Sequence, residues 1–463
     1  MPKKIMVGVS TEQNTANLIP AIQLDISQFI IVETSIAHEK KWSDGLKEVM
    51  KKRKICVEQI VLEPQEDNDI EQISRKIKEK IGTNTSIIWN VGGGQKPHQF
   101  AVWQTFQERK GDDVVCYANA STKKLETWQY KDVQLVFDDS KPICVHLSAH
   151  EILTTFGYAI SGKPELIYQR GKDIVLEKKA CDFMGYPEFR EILFRLPANA
   201  QQNTEDSKYN ITDFIDLLQS KADIIETAIA QKLSKLTYRA LDESNKKNIA
   251  NAIKRQLFET STAELKKCLL QNNRTPVTIT NADLMGEIGK SSVNLTQEDF
   301  KQITGFDKAA IYFEQIIIQR VKQMLEEDKN HHVVEAYANL RVAKIDNPGE
   351  VIAEYDILCA TNKGTLFALD AKTFDFERKD SDARLYNLSQ AGGRYVKFYP
   401  IIPYDPEDMD EDFFSESLKS LPKKLKKRKM DFYVIADSQI NTNEFTTDSG
   451  ETKCKILKKI PEF

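Results

Sequence analysis

The chain is expected to be α/β at both ends, with a helical stretch between them. Three observations carry that expectation. Short apolar runs alternate with helix-period segments near the N-terminus, the pattern of a mostly parallel sheet covered by helices. Between Asn210 and Leu270 the apolar residues Ile211, Phe214, Leu217, Leu218, Ile224, Ile225, Ile229 and Leu233 recur at helix spacing, a stripe suited to core or dimer packing. Towards the C-terminus a helix is followed by three strand-like runs, a helix and another strand. The units implied are 1–160, 161–305 and 306–463.

In the first unit the strand-like runs are Ile5–Val9, Phe29–Val32, Lys54–Leu62, Ser86–Asn90 and Val114–Tyr117. The helical segments between them are Ala16–Leu24, Lys40–Lys52, Asp69–Ile81 and Pro97–Lys110. Open sheets of this kind bind ligands beyond the carboxyl ends of their strands. Two loops there stand out. Ser10-Thr11-Glu-Gln13-Asn14, with Asn17 beyond it, opens a helix with short polar groups. Asn90-Val-Gly92-Gly93-Gly94-Gln95-Lys96 feeds another. Glycines there let backbone N–H groups approach a phosphate, and a helix N-terminus favours an anion. The run fits neither GxxxxGK[ST] nor GxGxxG, because Pro97 stands where the last glycine would be, and a tight turn before a helix explains it as simply. The polar loop at the other strand favours a ligand site.

Composition narrows the classes. At 463 residues the chain exceeds one ordinary core. Its net charge of −4 does not announce a polyanion partner, so any nucleic-acid surface is a local patch. Seven scattered cysteines, never spaced CxxC, argue against a disulfide framework or zinc ribbon and for a reducing cytosol. No apolar run approaches a membrane span of about 20 residues, so a soluble cytoplasmic protein without a membrane partner is expected. His146 and His150 lack an HExxH context and a third ligand, and read as structural. His331-His332 reads as a solvated turn. The basic run Lys423–Lys429 follows the acidic stretch Asp405–Asp412; it reads as a solvated face or local counter-charge, or, on a nuclease, as a sequence-independent contact to phosphates.

The last unit carries the chemistry. Val351–Cys359 and Thr365–Lys372 flank the turn signal Asn362-Lys-Gly364 and predict a hairpin. Thirteen residues separate Asp356 from Asp370-Ala371-Lys372. Side chains alternate across a strand, so Asp370 and Lys372 share a face, as do Glu354 and Asp356. Two hard carboxylates beside an ammonium suit a divalent cation and an activated water, the chemistry of a nuclease. Asp356 and Asp370, helped by the Ala371 carbonyl, are the expected ligands of Mg²⁺ or Mn²⁺, with Glu354 joining them or standing behind them. Lys372 would orient the water or stabilise the phosphorane. Glu314 is a lone carboxylate in an apolar helix. Arg394 and Lys397, with Tyr395 between them and just after Gly392-Gly393, are the candidates for contact with nucleic acid. A strand Asp–Lys pair alone is more often an exposed ion pair; the spacing, the hairpin and Glu314 shift the balance.

The order αβββαβ matches the core of the PD-(D/E)xK restriction-endonuclease-like fold. The chain as a whole resembles CRISPR-associated nucleases that join an N-terminal CARF domain, a Rossmann-like sensor of cyclic oligoadenylates, to such a core. At the front, Ser10, Asn14, Asn17 and Asn90-x-Gly-Gly-Gly-Gln-Lys96 carry the likeness. At the back, Phe313-Glu314, Glu354-x-Asp356, Asp370-Ala-Lys372 and Ala391-Gly-Gly393 do. Asp370 replaces the commoner glutamate, and Gly94-Gln95 stands where Gly-Thr is expected. The resemblance implies a type III CRISPR effector and a homodimer. Its activator would be a cyclic oligoadenylate, cyclic tetra-adenylate above all, held by Ser10, Thr11, Gln13, Asn14, Asn17, Asn90, Gly92, Gly93, Gly94, Gln95 and Lys96. It gives Glu314, Asp356, Asp370 and Lys372 catalytic roles on DNA or RNA. Two other readings compete: a restriction- or repair-type DNA endonuclease without nucleotide control, and a non-enzymatic ligand-sensing regulator that binds DNA through its helical middle.

Overall fold

The computed structural model describes residues 4–82, 86–109, 111–131, 134–177, 309–328, 331–372, 378–402, 432–434, 445–446 and 453–456. Most of the expected middle unit, including Asn210–Leu270, lies outside the described residues, as do the runs Asp405–Asp412 and Lys423–Lys429.

The first sheet holds β1 (Ile5–Val9), β2 (Gln28–Glu33), β3 (Cys56–Val61), β4 (Ile87–Asn90), β5 (Val114–Asn119), β6 (Lys124–Lys131) and β7 (Gln134–Pro142). Its order is β3-β2-β1-β4-β5-β6-β7, parallel through β5 and antiparallel after it. Every residue of β1 and β2 is buried, which is why those runs are continuously apolar rather than alternating. On one face α4 (Ile70–Ile81) and α5 (Lys96–Arg109) bring Ile73, Ile77, Ala101 and Phe106 onto Val7, Trp89 and Val115. On the other lie α1 (Thr15–Gln23) and α3 (Asp44–Lys52). The chain reverses its strand order between β1 and β4, and the two polar loops flank that point.

The helix expected over Lys40–Lys52 is shorter, α3 alone, and an additional helix, α2 (Ser35–Glu39), precedes it. Thr34 caps α2 by accepting the Ala37 N–H, and Lys41, at φ 56°, breaks the path between them. The β6–β7 hairpin was not expected either, since only Leu125 and Thr127 of β6 are buried. His146 lies ahead of α6 (Ala149–Thr155), so it shares no helical face with His150.

The second sheet contains β8 (Tyr158–Ser161), β9 (Glu165–Gln169), β10 (Val333–Lys344), β11 (Val351–Thr361), β12 (Leu366–Ala371), β13 (Lys397–Ile402), β14 (Phe432–Val434), β15 (Phe445–Thr446) and β16 (Lys453–Ile456). Strands β10, β11 and β12 form an antiparallel meander. The crossover helix α8 (Arg378–Gly392) then returns the chain to β13, parallel to β12. With α7 (Ala309–Glu327) in front, the order αβββαβ is present as the sequence implied. Both β8 and β9 pair with β10, so the chain enters the second sheet just ahead of the boundary expected at residue 160. The reason is pairing with a distant strand, which local pattern does not report.

The two units share one core. Met6, Leu18 and Phe29 of the first belong to the same buried cluster as Phe313, Leu340 and Leu369 of the second. Backbone contacts stitch the seam: the Val145 N–H donates to Asn362 O at 2.8 Å, and Lys363 Nζ to Ile143 O at 2.8 Å. Buried Glu335 accepts the Ala149 N–H at the start of α6, at 2.6 Å. The β11–β12 turn rests, at Gly364, on Ile19 of α1 and on Leu147. No helix among the described residues is long and apolar enough to cross a membrane.

Candidate functional site

At the switch point of the first sheet, three buried amides tie the loops together. Asn17 Nδ2 donates to Val9 O at 2.9 Å. Asn90 Nδ2 donates to Asn17 Oδ1 at 2.8 Å and to Ala16 O at 3.0 Å, while Asn90 Oδ1 accepts the Gly92 N–H. Asn14 Nδ2 reaches Trp42 O at 2.6 Å. All three side chains are buried, so they shape the loops and do not point outward to a ligand. Gly93 and Gly94 have a similar internal cause. A Cβ on Gly93 would lie 2.7 Å from Val9 O, and one on Gly94 (φ +82°) 2.4 Å from a Val9 methyl. The close backbone approach that needs glycine is to β1 itself. What remains open at the loop surface is Thr11, Gln13, Gly92, Gln95 and Lys96, with the exposed ring of Tyr117 beside Gly92. Ser10 is buried, and its hydroxyl has no hydrogen-bond partner.

One neighbour at this end carries no sequence signal. Glu33, buried at the carboxyl end of β2, gathers Ser43, His38, Gln59 and Lys47 around its carboxylate. Burial opposes the charge, but these donors outweigh it and hold the carboxyl below its usual range.

The second constellation sits on the hairpin. Asp370, on β12, is fully buried between two cations. Arg384 Nη1 donates to its Oδ1 at 2.5 Å, and Lys372 Nζ lies 2.5 Å from its Oδ2. Despite that proximity, Oδ2 accepts no hydrogen bond. Asp356, on β11, accepts the Ala371 N–H at 2.6 Å on Oδ2. Burial and then the charge of Asp370 push the Asp356 carboxyl well above its ordinary value, against the pull of Lys372. Glu314, from α7, is raised to about 7 by burial and by the charges of Asp370 and Glu354, partly offset by Lys372. These are acids crowded together, and each raises the others' affinity for a proton.

The expected ligands can be tested against that geometry. Among the described residues, no three acidic, histidine or cysteine side chains converge as a metal cluster. Glu354 is exposed and pairs with Arg341 at 3.2 Å. Ala371 is engaged through its N–H; its carbonyl remains a candidate donor. The donor set that fits is therefore Asp356 and Asp370, whose oxygens face Lys372, Arg384 and the Ala371 N–H. Two carboxylates with the remaining positions left to water suit Mg²⁺ or Mn²⁺. Arg394 and Lys397 are exposed but stand at the other end of the sheet: Lys397 is level with Phe367, whereas Pro400 is level with Asp370. Three strand residues, about 10 Å, separate those levels. Arg384 was not singled out by sequence. An arginine in a charged helix gives no hint that it folds back onto a buried aspartate.

Residues 5–140 match a family model described as the Card1 CARF domain. No curated protein matches the chain. Among solved structures, protein VC1899 from Vibrio cholerae is 12% identical with a TM-score of 0.50, the match covering 94% of each chain; at that identity the likeness is one of fold. Can2 from Sulfobacillus thermosulfidooxidans, solved with cyclic tetra-adenylate, is 14% identical with a TM-score of 0.48, over 92% of this chain and 98% of that one. The match to the CARF model thus falls on the first, Rossmann-like sheet of a mixed α/β chain.

Proposed function

We propose that the chain is a metal-dependent nuclease of type III CRISPR defence, switched on by a cyclic oligoadenylate. The CARF match over residues 5–140 supports the sensing half. Cyclic tetra-adenylate is the expected ring: its two-fold symmetry suits a two-fold dimer in which each chain offers the same loops. One observation carries the catalytic half. Asp356 and Asp370 lie together beside Lys372, whose ammonium is 2.5 Å from Asp370 Oδ2, and burial with the charge of Asp370 pushes the Asp356 carboxyl up.

Each residue has a physical task. Asp356 and Asp370 would hold Mg²⁺ or Mn²⁺, whose chemistry is to acidify a bound water and screen the scissile phosphate. The Ala371 N–H fixes the rotamer of Asp356. Lys372, mostly buried, places its ammonium where charge develops on the phosphoryl oxygens. Glu314, ionising near neutrality, can take a proton from water at working pH. The substrate, DNA or RNA, would enter along the hairpin face.

The test uses the purified full-length chain with Mn²⁺ and labelled single-stranded and duplex DNA and RNA, with and without each cyclic oligoadenylate. Scission should require both Mn²⁺ and cyclic tetra-adenylate. Asp370→Ala or Lys372→Ala should lower it by more than the roughly hundredfold typical of losing a residue behind a metal ligand. Full activity in either variant removes the site assignment, and ligand-independent scission favours a restriction- or repair-type enzyme. DNA binding without scission under every condition returns the chain to the class of regulators.

A further inference from the structure

Helix α8 touches both constellations. Midway along it, Arg384 Nη1 donates to Asp370 Oδ1 at 2.5 Å and to Glu354 O at 3.1 Å, and the Arg384 carbonyl accepts the Tyr355 hydroxyl at 3.1 Å. Beyond its end, the Arg394 N–H donates to Gln13 Oε1 at 2.8 Å. The turn there needs Gly393: its φ is +85°, and a Cβ would lie 2.6 Å from Phe156 Cζ and 2.9 Å from Gln13 Oε1. Gln13 belongs to the loop after β1 that opens at the switch point. Eight helical steps from Arg384 to Gly392 span about 12 Å, and over that distance a helix moves as one rod.

We infer that Arg384 is a positioning residue that occupies Asp370, and that α8 couples its placement to Gln13 in the sensor loop. The inference rests on reading Asp370 as a metal ligand. A guanidinium on Oδ1 and a divalent cation compete for the same oxygen, and Arg384 already supplies the charge the cation would bring. Lys372 pairs with the other oxygen as a point charge on a flexible stem, whereas Arg384 holds Oδ1 from a helix through a planar fork. At the far end a single hydrogen bond and a tight glycine contact hold the α8–β13 turn against the loop. A ligand that engages the Gln13 amide removes that acceptor, and α8 can then carry Arg384 off Asp370. The ligand shifts this equilibrium only by its preference for the released form.

The experiment is done on the full chain without any nucleotide, so altered ligand affinity plays no part. Mn²⁺ is titrated and the free ion counted by electron paramagnetic resonance, in the unaltered protein, Gln13→Ala, Arg384→Gln, the double variant and Asp370→Asn. Gln13→Ala and Arg384→Gln should each tighten Mn²⁺ binding by about fivefold, the lower range of allosteric couplings. The double variant should be no tighter than the better single one, because both act through the same contact. Arg384→Lys, which keeps charge without the planar fork, should fall between the unaltered protein and Arg384→Gln. Additive effects within about twofold, as separated residues with no shared partner show, overturn the coupling, as does unchanged affinity in either single variant. If Mn²⁺ binds no more weakly to Asp370→Asn than to the unaltered chain, the metal-site reading fails and the inference with it.

Discussion

The two constellations treat polar side chains in opposite ways. At the switch point of the first sheet, Asn14, Asn17 and Asn90 are neutral, buried and satisfied by backbone partners and by one another. Around the hairpin, Asp356, Asp370 and Glu314 are acids crowded together, two of them with raised pKa values. A saturated network has nothing left to offer a ligand, so it builds shape. An unsaturated one costs stability and persists where something else completes it. A ligand at the switch point of the first sheet would therefore meet what that network displays: backbone N–H groups and the side chains of Thr11, Gln13, Gln95 and Lys96.

The strongest way to break that contrast is to titrate the hairpin acids. The Glu314 carboxyl stands at about 7 against an ordinary 4.5. Its burial is fully tolerated below pH 4.5, where the group is protonated whether the chain is folded or not. Between there and pH 7 the unfolded chain gives up its proton first, so stability falls as pH rises and is lowest above 7. The loss amounts to about 3 kcal/mol at most, and Asp356 acts in the same direction. Thermal melts of the metal-free protein in EDTA should show a higher midpoint at pH 5.5 than at pH 8. In Glu314→Gln that difference should shrink. Mn²⁺ should reverse the trend, since the ion binds the ionised acids. A slope unchanged by Glu314→Gln would mean the acid is not held in a dry, crowded site.

How much of this was legible depends on distance along the chain. The strands β1, β2 and β4 announce themselves as buried apolar runs, and the hairpin by its Asn-Lys-Gly turn. Asp356, Asp370 and Lys372 do meet, because a hairpin fixes cross-strand neighbours from local sequence alone. By contrast, β8 and β9 owe their place to pairing with β10, and Glu33 gathers partners from α2, α3 and β3. Arg384 reaches Asp370 from a crossover helix. None of these leaves a mark in the sequence around it. The asparagines show a subtler limit: a polar residue in a loop reads alike whether it faces a ligand or the backbone beneath it.

A second, smaller effect separates shape from recognition in the sensor. Asn17→Ala strips a donor from Val9 O and an acceptor from Asn90, leaving buried groups unpaired. The cost should be about 2 kcal/mol, read as a drop of a few degrees in the melting midpoint. Ligand affinity should fall as a consequence of the loosened loop. If Asn17→Ala melts like the unaltered chain but no longer binds cyclic tetra-adenylate, the amide is a direct contact and the contrast drawn above is wrong for it.

Lys96→Ala should change the fold least. Lys96 is exposed at the first turn of α5 and has no described ion pair, so its loss should alter stability by no more than about 0.5 kcal/mol. An ammonium at the mouth of the glycine loop still faces whatever anion settles there. A charge-assisted hydrogen bond of that kind contributes about tenfold in affinity. Calorimetric titration with cyclic tetra-adenylate should therefore show weaker binding at low salt, the gap narrowing as ionic strength rises and screens the surface charge. Equal affinities at low salt would place the phosphates away from the loop after β4, and leave the loop after β1, with Gln13 and Thr11, as the side that recognises them.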